Sequence, residues 1–316
     1  MSANLPAPPA ETAPATKFPL GPMVKALRPK QWTKNGLVFA ALIFAYQYDD
    51  PRAWVLALGA FAAFCLVSSM GYLVNDIRDR EVDARHPSKR KRPIASGALS
   101  IRWAITEAVV VGALGLITAG ALGWELLLVT VLYFITTMTY SFFFKHMVIL
   151  DVMMITVGFL WRAVAGAVVI QVHISPWLLL CAAFLALFLG FNKRRGEIAL
   201  ISDDGDPDTE ELAAVRPSLA SYRPSMIQEF QSITSSGTII SYALYTVLGS
   251  PTPWMLVTMP FVLYGVFRYI YLVDRGDGAA PDEVLYRDKP ILLTVVLYGI
   301  SAVLVLILAP KQIVAP

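Results

Sequence analysis

Two cysteines in 316 residues, Cys65 and Cys181, both inside apolar runs, leave no material for a disulfide framework. The three histidines, His86, His146 and His173, lie far apart, which argues against a His-rich zinc site. Charge is scarce at 16%, and a formal net charge of +3 is too small to suggest a nucleic-acid partner. The first thirty residues contain no apolar run, so no cleavable signal peptide is expected. What the chain has in quantity is apolar surface: 56% of its residues are hydrophobic, and the mean hydropathy is +0.59. A soluble core of that composition is implausible, and apolar runs of this length span membranes as helices. An all-α polytopic membrane protein, in contact with lipid, is expected.

Residues 1–20 are rich in Ala, Pro and Thr and read as a disordered tail. Residues 21–34 carry VKALRPKQWTK, basic groups with Trp32, suited to an anionic headgroup layer. Nine apolar runs follow, at about Asn35 to Tyr48, Ala53 to Val74, Trp103 to Leu122, Leu126 to Phe144, Val148 to Ile170, Trp177 to Phe191, Ile233 to Leu248, Trp254 to Tyr271 and Ile291 to Ala309. The first and sixth are short for a hydrocarbon core of about 30 Å. The transmembrane domain is thus expected over residues 21–310, with a short external tail at 311–316. Nine spans place all but three of the 26 Lys and Arg on the side of the N-terminus; Arg52 and Lys311 lie opposite, and Arg162 lies within a span. That asymmetry puts the N-terminus and the long connections in the cytoplasm, and the C-terminus outside. The acidic run from Ser202 to Glu211 reads as a solvated loop with the look of a flexible lid, without the spacing of a calcium loop.

The stretch from Tyr72 to Arg92, YLVNDIRDREVDARHPSKRKR, begins where the second run leaves the membrane. On a helix at about 100° per residue, Asp76, Asp79 and Asp83 fall within about 60° of one another. Three aligned carboxylates repel one another unless a cation sits against them. Hard oxygen donors of this kind suit Mg²⁺, which takes one or two carboxylates together with phosphate oxygens. Asn75 adds a neutral donor and acceptor. Arg85, Lys89 and Arg92, with Arg90 and Lys91, supply positive charge for phosphates, and His86 falls within the same loop. A solvated mixed-charge loop that only sets topology would need the Lys and Arg but not the aligned Asp residues.

Four further places carry polar chemistry. Asn192, Lys193, Arg194, Arg195 and Glu197 close the sixth run, either as a phosphate-binding cluster or as a helix end with a Lys193–Glu197 pair. Tyr140 and Lys145 close the fourth, where they could equally be interfacial anchors. Arg162 lies deep in the fifth among Ala163, Ala165, Gly166 and Ala167; an intramembrane charge marks a functional or paired position, and its small neighbours permit close packing. Asp151, about three turns away, is too distant to pair with it directly. Tyr286, Arg287, Asp288 and Lys289 precede the last run, where Asp288 could approach a metal, order a basic side chain or cap the helix.

The motifs LRPKQW (Leu27 to Trp32), NDIRDREVD (Asn75 to Asp83), KRPIASG (Lys91 to Gly97) and FLWRAVAGA (Phe159 to Ala167) resemble those of the UbiA superfamily of intramembrane prenyltransferases, over roughly residues 22 to 310. The resemblance implies nine helices around a cavity open to the cytoplasmic face of a bacterial inner membrane, with Mg²⁺ bridging the aspartates and a diphosphate. Typical members carry a second Asp-rich motif near the end of the sixth helix, where this chain reads NKRRGE. With that change the pattern is most similar to the branch of decaprenyl-phosphate phosphoribosyltransferases. That likeness implies phosphoribosyl pyrophosphate (PRPP) as donor and a polyprenyl monophosphate as acceptor. Asp76, Asp79 and Asp83 would hold Mg²⁺ on the pyrophosphate. Lys34, Lys89, Arg92, Lys145 and Lys193 would bind phosphate oxygens, and Arg162 and Arg194 the acceptor phosphate or an outer layer of charge. An ordinary prenyl transfer and a lipid-phosphate transporter are the alternatives, although the chain shows no evident internal repeat of the kind many transporters have. A homo-oligomer is compatible with the sequence.

Overall fold

The structure is a computed structural model that describes residues 19–85, 89–199, 212, 218–276, 284 and 287–309. The N-terminal tail, His86, the acidic run at 202–211, Tyr286 and the tail at 311–316 lie outside the described residues. Among the described residues the secondary structure is helical throughout. A short α1 (Leu20–Ala26) leads through Arg28 into a 3₁₀ rod (Pro29–Phe39) continued by α2 (Ala40–Phe44). Then follow α3 (Pro51–Arg78), α4 (Arg80–Arg85), α5 (Ile101–Leu122), α6 (Trp124–Phe142), α7 (Leu150–Val169), α8 (Pro176–Ala199) and α9 (Pro224–Leu244). A 3₁₀ turn (Pro253–Thr258) opens α10 (Met259–Asp274), and α11 (Lys289–Leu308) closes the fold.

Local chemistry sets the helix ends. Asp50 caps α3, accepting from Arg52 N–H at 2.8 Å ahead of Pro51. Asp288 caps α11 through Ile291 N–H at 2.9 Å and also orders Arg268 at 2.8 Å, so two of the roles foreseen for it coexist. Between α5 and α6 the chain reverses on Gly123, whose φ of 146° favours glycine.

Seven helices among the described residues are long and apolar enough to cross a membrane. Two of the nine expected runs are helical without meeting that description. The rod from Pro29 to Phe44 is short and mostly 3₁₀, while α9 is polar. On α9, Thr234, Thr238 and Ser241 return their hydroxyls to carbonyls one turn back, at 2.6 to 2.8 Å, which satisfies them without water. The helix starts at Pro224, ahead of the expected Ile233, and runs into a π turn at Tyr245–Gly249. The sixth run, expected to be short, is the 24-residue α8. Outward faces carry exposed Val55, Leu58, Val109, Ile117, Ile240, Phe267, Leu293 and Leu304, as a lipid-facing surface requires. With these helices, the chain is a multi-pass membrane protein.

Inside, Phe64, Val67, Leu126, Tyr133 and Ala165 join α3, α6 and α7 into one core. Gly166 is required where α7 crosses the 3₁₀ rod: a Cβ there would come within 1.9 Å of the Val38 carbonyl oxygen. Close packing beside Arg162, expected from its small neighbours, takes this form.

Candidate functional site

Polar side chains from several elements meet where α3 leaves the apolar layer. α3 stops at Arg78, Asp79 leaves helical geometry (φ −86°, ψ 6°), and α4 resumes at Arg80. The hydrogen-bond ladder still carries through, from Asp79 N–H to Asn75 C=O at 2.9 Å and from Asp83 N–H to Asp79 C=O at 2.8 Å. The carboxylate row therefore persists across a one-residue break that the spacing did not foretell.

Each carboxylate is met by a cation. Arg28 Nη2 donates to both oxygens of Asp76, at 2.6 and 2.9 Å, and its guanidinium lies over the Tyr72 ring at 4.9 Å. Arg92 Nη1 touches Asp76 Oδ1 at 3.1 Å and Asp83 Oδ2 at 2.6 Å. Lys145 Nζ holds both oxygens of Asp79 at 2.9 and 2.8 Å. Asp76 and Asp83 are buried, and burial makes this pairing necessary, since an isolated buried carboxylate is costly. Beside Asp76 a cavity of about 280 Å³ is lined by Lys25, Arg28, Lys91, Arg92 and Pro93. Four cations around one carboxylate favour a multiply charged anion. A larger cavity, about 470 Å³, lies at the opposite end of the helices near Tyr46, Trp177 and Tyr245; no Asp, Glu, Lys or Arg lines it.

Among the described residues no three His, Cys, Asp or Glu side chains converge closely enough to hold a metal ion by themselves. Asp76 and Asp83 do converge on one point, because a single guanidinium nitrogen touches both. Two hard carboxylates beside a cavity that can admit phosphate oxygens fit Mg²⁺. Asp79, bonded to Lys145, stands next to that pair in the row.

The other expected residues divide. Asn75 is half-buried beside Asp76, Lys89 is half-buried in the 3₁₀ turn whose carbonyl accepts Arg92 N–H at 2.9 Å, and Arg85 is exposed at the end of α4. Lys34 is half-buried on the 3₁₀ rod and Lys193 on α8. Tyr140 is half-buried on the last turn of α6. Arg162 belongs to a separate place. It is buried in the bundle, with Nε on Asn35 Oδ1 at 2.7 Å, Nη1 on Gly158 C=O at 2.7 Å and Nη2 on Tyr133 OH at 2.9 Å. Arg194 is also buried, bonded to Asp151 at 2.8 Å and Glu197 at 2.6 Å. Asp151 is thus the partner of Arg194, and it further accepts from Tyr222 OH at 2.7 Å and Ser218 Oγ at 3.2 Å.

Sequence reasoning passed over Lys25 and Arg28 as site residues, and read Lys91 only within the basic run that supplies charge for phosphates. Arg28 stands in LRPKQW, whose Trp32 is anchored to Ser69 Oγ at 3.0 Å; the motif was visible, its ion pair with Asp76 was not. Tyr222, on the return from the long connection, carried no sequence signal.

Fold and site together define an integral-membrane helical protein with an acidic row, masked by cations, at one end of its bundle. The model of the UbiA prenyltransferase family matches residues 36–289, and the chain belongs to that family. It is 40% identical over 280 residues to a decaprenyl-phosphate phosphoribosyltransferase of Corynebacterium glutamicum, covering 84% of this chain and 81% of the relative. A Mycobacterium tuberculosis protein of the same name is 36% identical over 278 residues, covering 86% and 89%. Among solved structures, a UbiA homologue from Archaeoglobus fulgidus bound to GPP and Mg²⁺ superposes with a TM-score of 0.69 at 20% identity, covering 89% of this chain and 98% of its own; it shares the fold.

Proposed function

We propose that this protein transfers the 5-phosphoribosyl group of PRPP to decaprenyl phosphate, releasing pyrophosphate. The observation that carries the reading is the cavity beside Asp76, where Lys25, Arg28, Lys91 and Arg92 crowd one buried carboxylate. The end of α8, basic at Lys193 to Arg195 instead of acidic, supports it, as do the names of the relatives. Arg28, Arg92 and Lys145 pair with the carboxylates, and an entering diphosphate would give them oxygens to transfer to, so no charge is left bare. Asp76 and Asp83, with Asp79 beside them, would hold Mg²⁺, which supplies Lewis-acid stabilisation of the leaving pyrophosphate. A lipid phosphate oxygen forms the new bond to the anomeric carbon as the bond to pyrophosphate breaks, and the electron pair leaves with pyrophosphate. The acceptor is anionic at neutral pH, so a general base is unnecessary; positioning and electrostatics carry the step.

In this reading the Pro29–Phe44 rod and α9 complete nine spans. The basic end of the bundle and the N-terminus face the cytoplasm of a bacterial inner membrane, and the product feeds cell-wall arabinan. The test is a side-by-side assay of purified protein with PRPP and decaprenyl phosphate, or with a prenyl diphosphate and an aromatic acceptor. Product only from the first pair is expected. Product only from the second would replace this reading with prenyl transfer.

A further inference from the structure

Lys145 reaches Asp79 from the turn between α6 and α7, and that turn ends in an unusual place. Ile149 has φ 69° and ψ −53°, and Leu150 N–H bonds to Val148 C=O at 2.8 Å. This is a γ-turn of the positive-φ form, a rare and strained conformation, centred on a β-branched residue. Such a conformation persists only where its surroundings impose it. Here one phenol contributes, beside the helix bonds that Ile149 C=O accepts from Val152 and Met153 N–H at 3.0 Å. Tyr222 OH accepts from Ile149 N–H at 2.7 Å and donates to Asp151 Oδ1 at 2.7 Å. Asp151, fully buried, is fixed in turn by Arg194 of α8 and by Ser218. The Tyr222 oxygen therefore ties the exit of the Lys145 turn to the first turn of α7 and the end of α8.

We propose that Tyr222 is a positioning residue that holds Lys145 on the acidic row through Ile149. The inference rests on the reading of Lys145 as a phosphate ligand given above. Tyr222 contributes one oxygen to this tie, while its ring packs separately against Phe191, with centroids 6.5 Å apart. Tyr222→Phe keeps the ring and removes the tie. Without it the γ-turn relaxes, and Lys145, four residues upstream, loses its fixed approach to Asp79.

Two measurements on full-length protein in detergent test this. The first is labelling of the Lys145 amine by acetic anhydride, followed by peptide mass spectrometry, which does not depend on the identity of the reaction. Tyr222→Phe is expected to raise the labelling rate about tenfold, whereas Ser218→Ala, which removes a different bond to Asp151, leaves it near wild type. Unchanged labelling in Tyr222→Phe, or an equal rise in both variants, overturns the proposal. The second is a double-mutant cycle on kcat/KM for PRPP with Lys145→Arg. A residue acting through Lys145 costs about tenfold alone and less than about twofold in the Lys145→Arg background. Equal losses in both backgrounds would mark an independent structural role and overturn it. If wild type transfers nothing from PRPP, the functional reading fails, and the labelling arm still decides the role of Tyr222.

Discussion

The guanidinium of Arg28 grips both oxygens of Asp76, at 2.6 and 2.9 Å, across 48 positions of chain. Arg28 itself has left-handed backbone (φ 55°), so the turn that aims it is held under strain. Arg28→Gln leaves Asp76 with Arg92 alone and removes one wall of the basic cavity. The expected outcome is a KM for PRPP raised about tenfold, with a loss of roughly 1–2 kcal/mol of stability because Arg28 is a quarter exposed. Steady-state kinetics and a thermal melt check both; an unchanged KM would remove Arg28 from the site.

Arg194 and Arg162 should separate in their effects. Arg194→Met strands the fully buried Asp151, so a stability loss of about 3–5 kcal/mol is expected. Arg162 has neutral partners, and Arg162→Met leaves behind hydroxyl and amide groups instead of a bare charge, so a smaller loss of about 1–3 kcal/mol is expected. Thermal midpoints of the two variants in the same detergent give the ranking, and the reverse order would contradict the pairing described.

Gly166→Ala drives a methyl group into the Val38 carbonyl, which is backbone and cannot rotate away. Separation of α7 from the 3₁₀ rod should cost about 1–3 kcal/mol. A melt shows the loss directly, and substitution without effect would mean the two backbones are further apart than described.

Tyr222 supplies a pH dependence. Burial first, then its bond to Asp151, pushes its phenol above the ordinary tyrosine range. The folded state thus keeps a neutral phenol where the unfolded chain ionises. That contribution is fully present below about pH 10 and is lost as pH rises beyond it, by about 1.4 kcal/mol per pH unit until the folded phenol ionises too. The advantage of wild type over Tyr222→Phe in thermal midpoint should narrow between about pH 9 and pH 11. A constant gap would show that the phenol titrates alike in both states.

Much of the acidic row was legible because helical spacing is local: Asp76, Asp79 and Asp83 declare their alignment within eight residues, and Arg92 follows them closely enough to be read with them. The partners were hidden by distance. Arg28 with Asp76, Lys145 with Asp79, and Tyr222 with Ile149 are joined by folding across 48, 66 and 73 positions, and no periodicity encodes that. Arg194 looked like a phosphate ligand because its charge was visible and its buried partner Asp151 lay 43 positions away. The start of α9 was misplaced because hydropathy marks only the apolar part of a helix, and its first turns carry Gln228, Glu229 and Gln231, the last of which donates to Asn192 Oδ1 at 2.8 Å.

The measurement that tests the central claim most directly is transfer of label to decaprenyl phosphate from PRPP carrying ³²P in its 5-phosphate, by purified protein, with Mg²⁺ or with EDTA, for wild type and Asp76→Ala. Labelled lipid that requires Mg²⁺ and falls at least about a hundredfold in Asp76→Ala is the predicted result. Folded wild-type protein that labels no lipid, or an Asp76→Ala variant that labels it at the wild-type rate, would contradict the account.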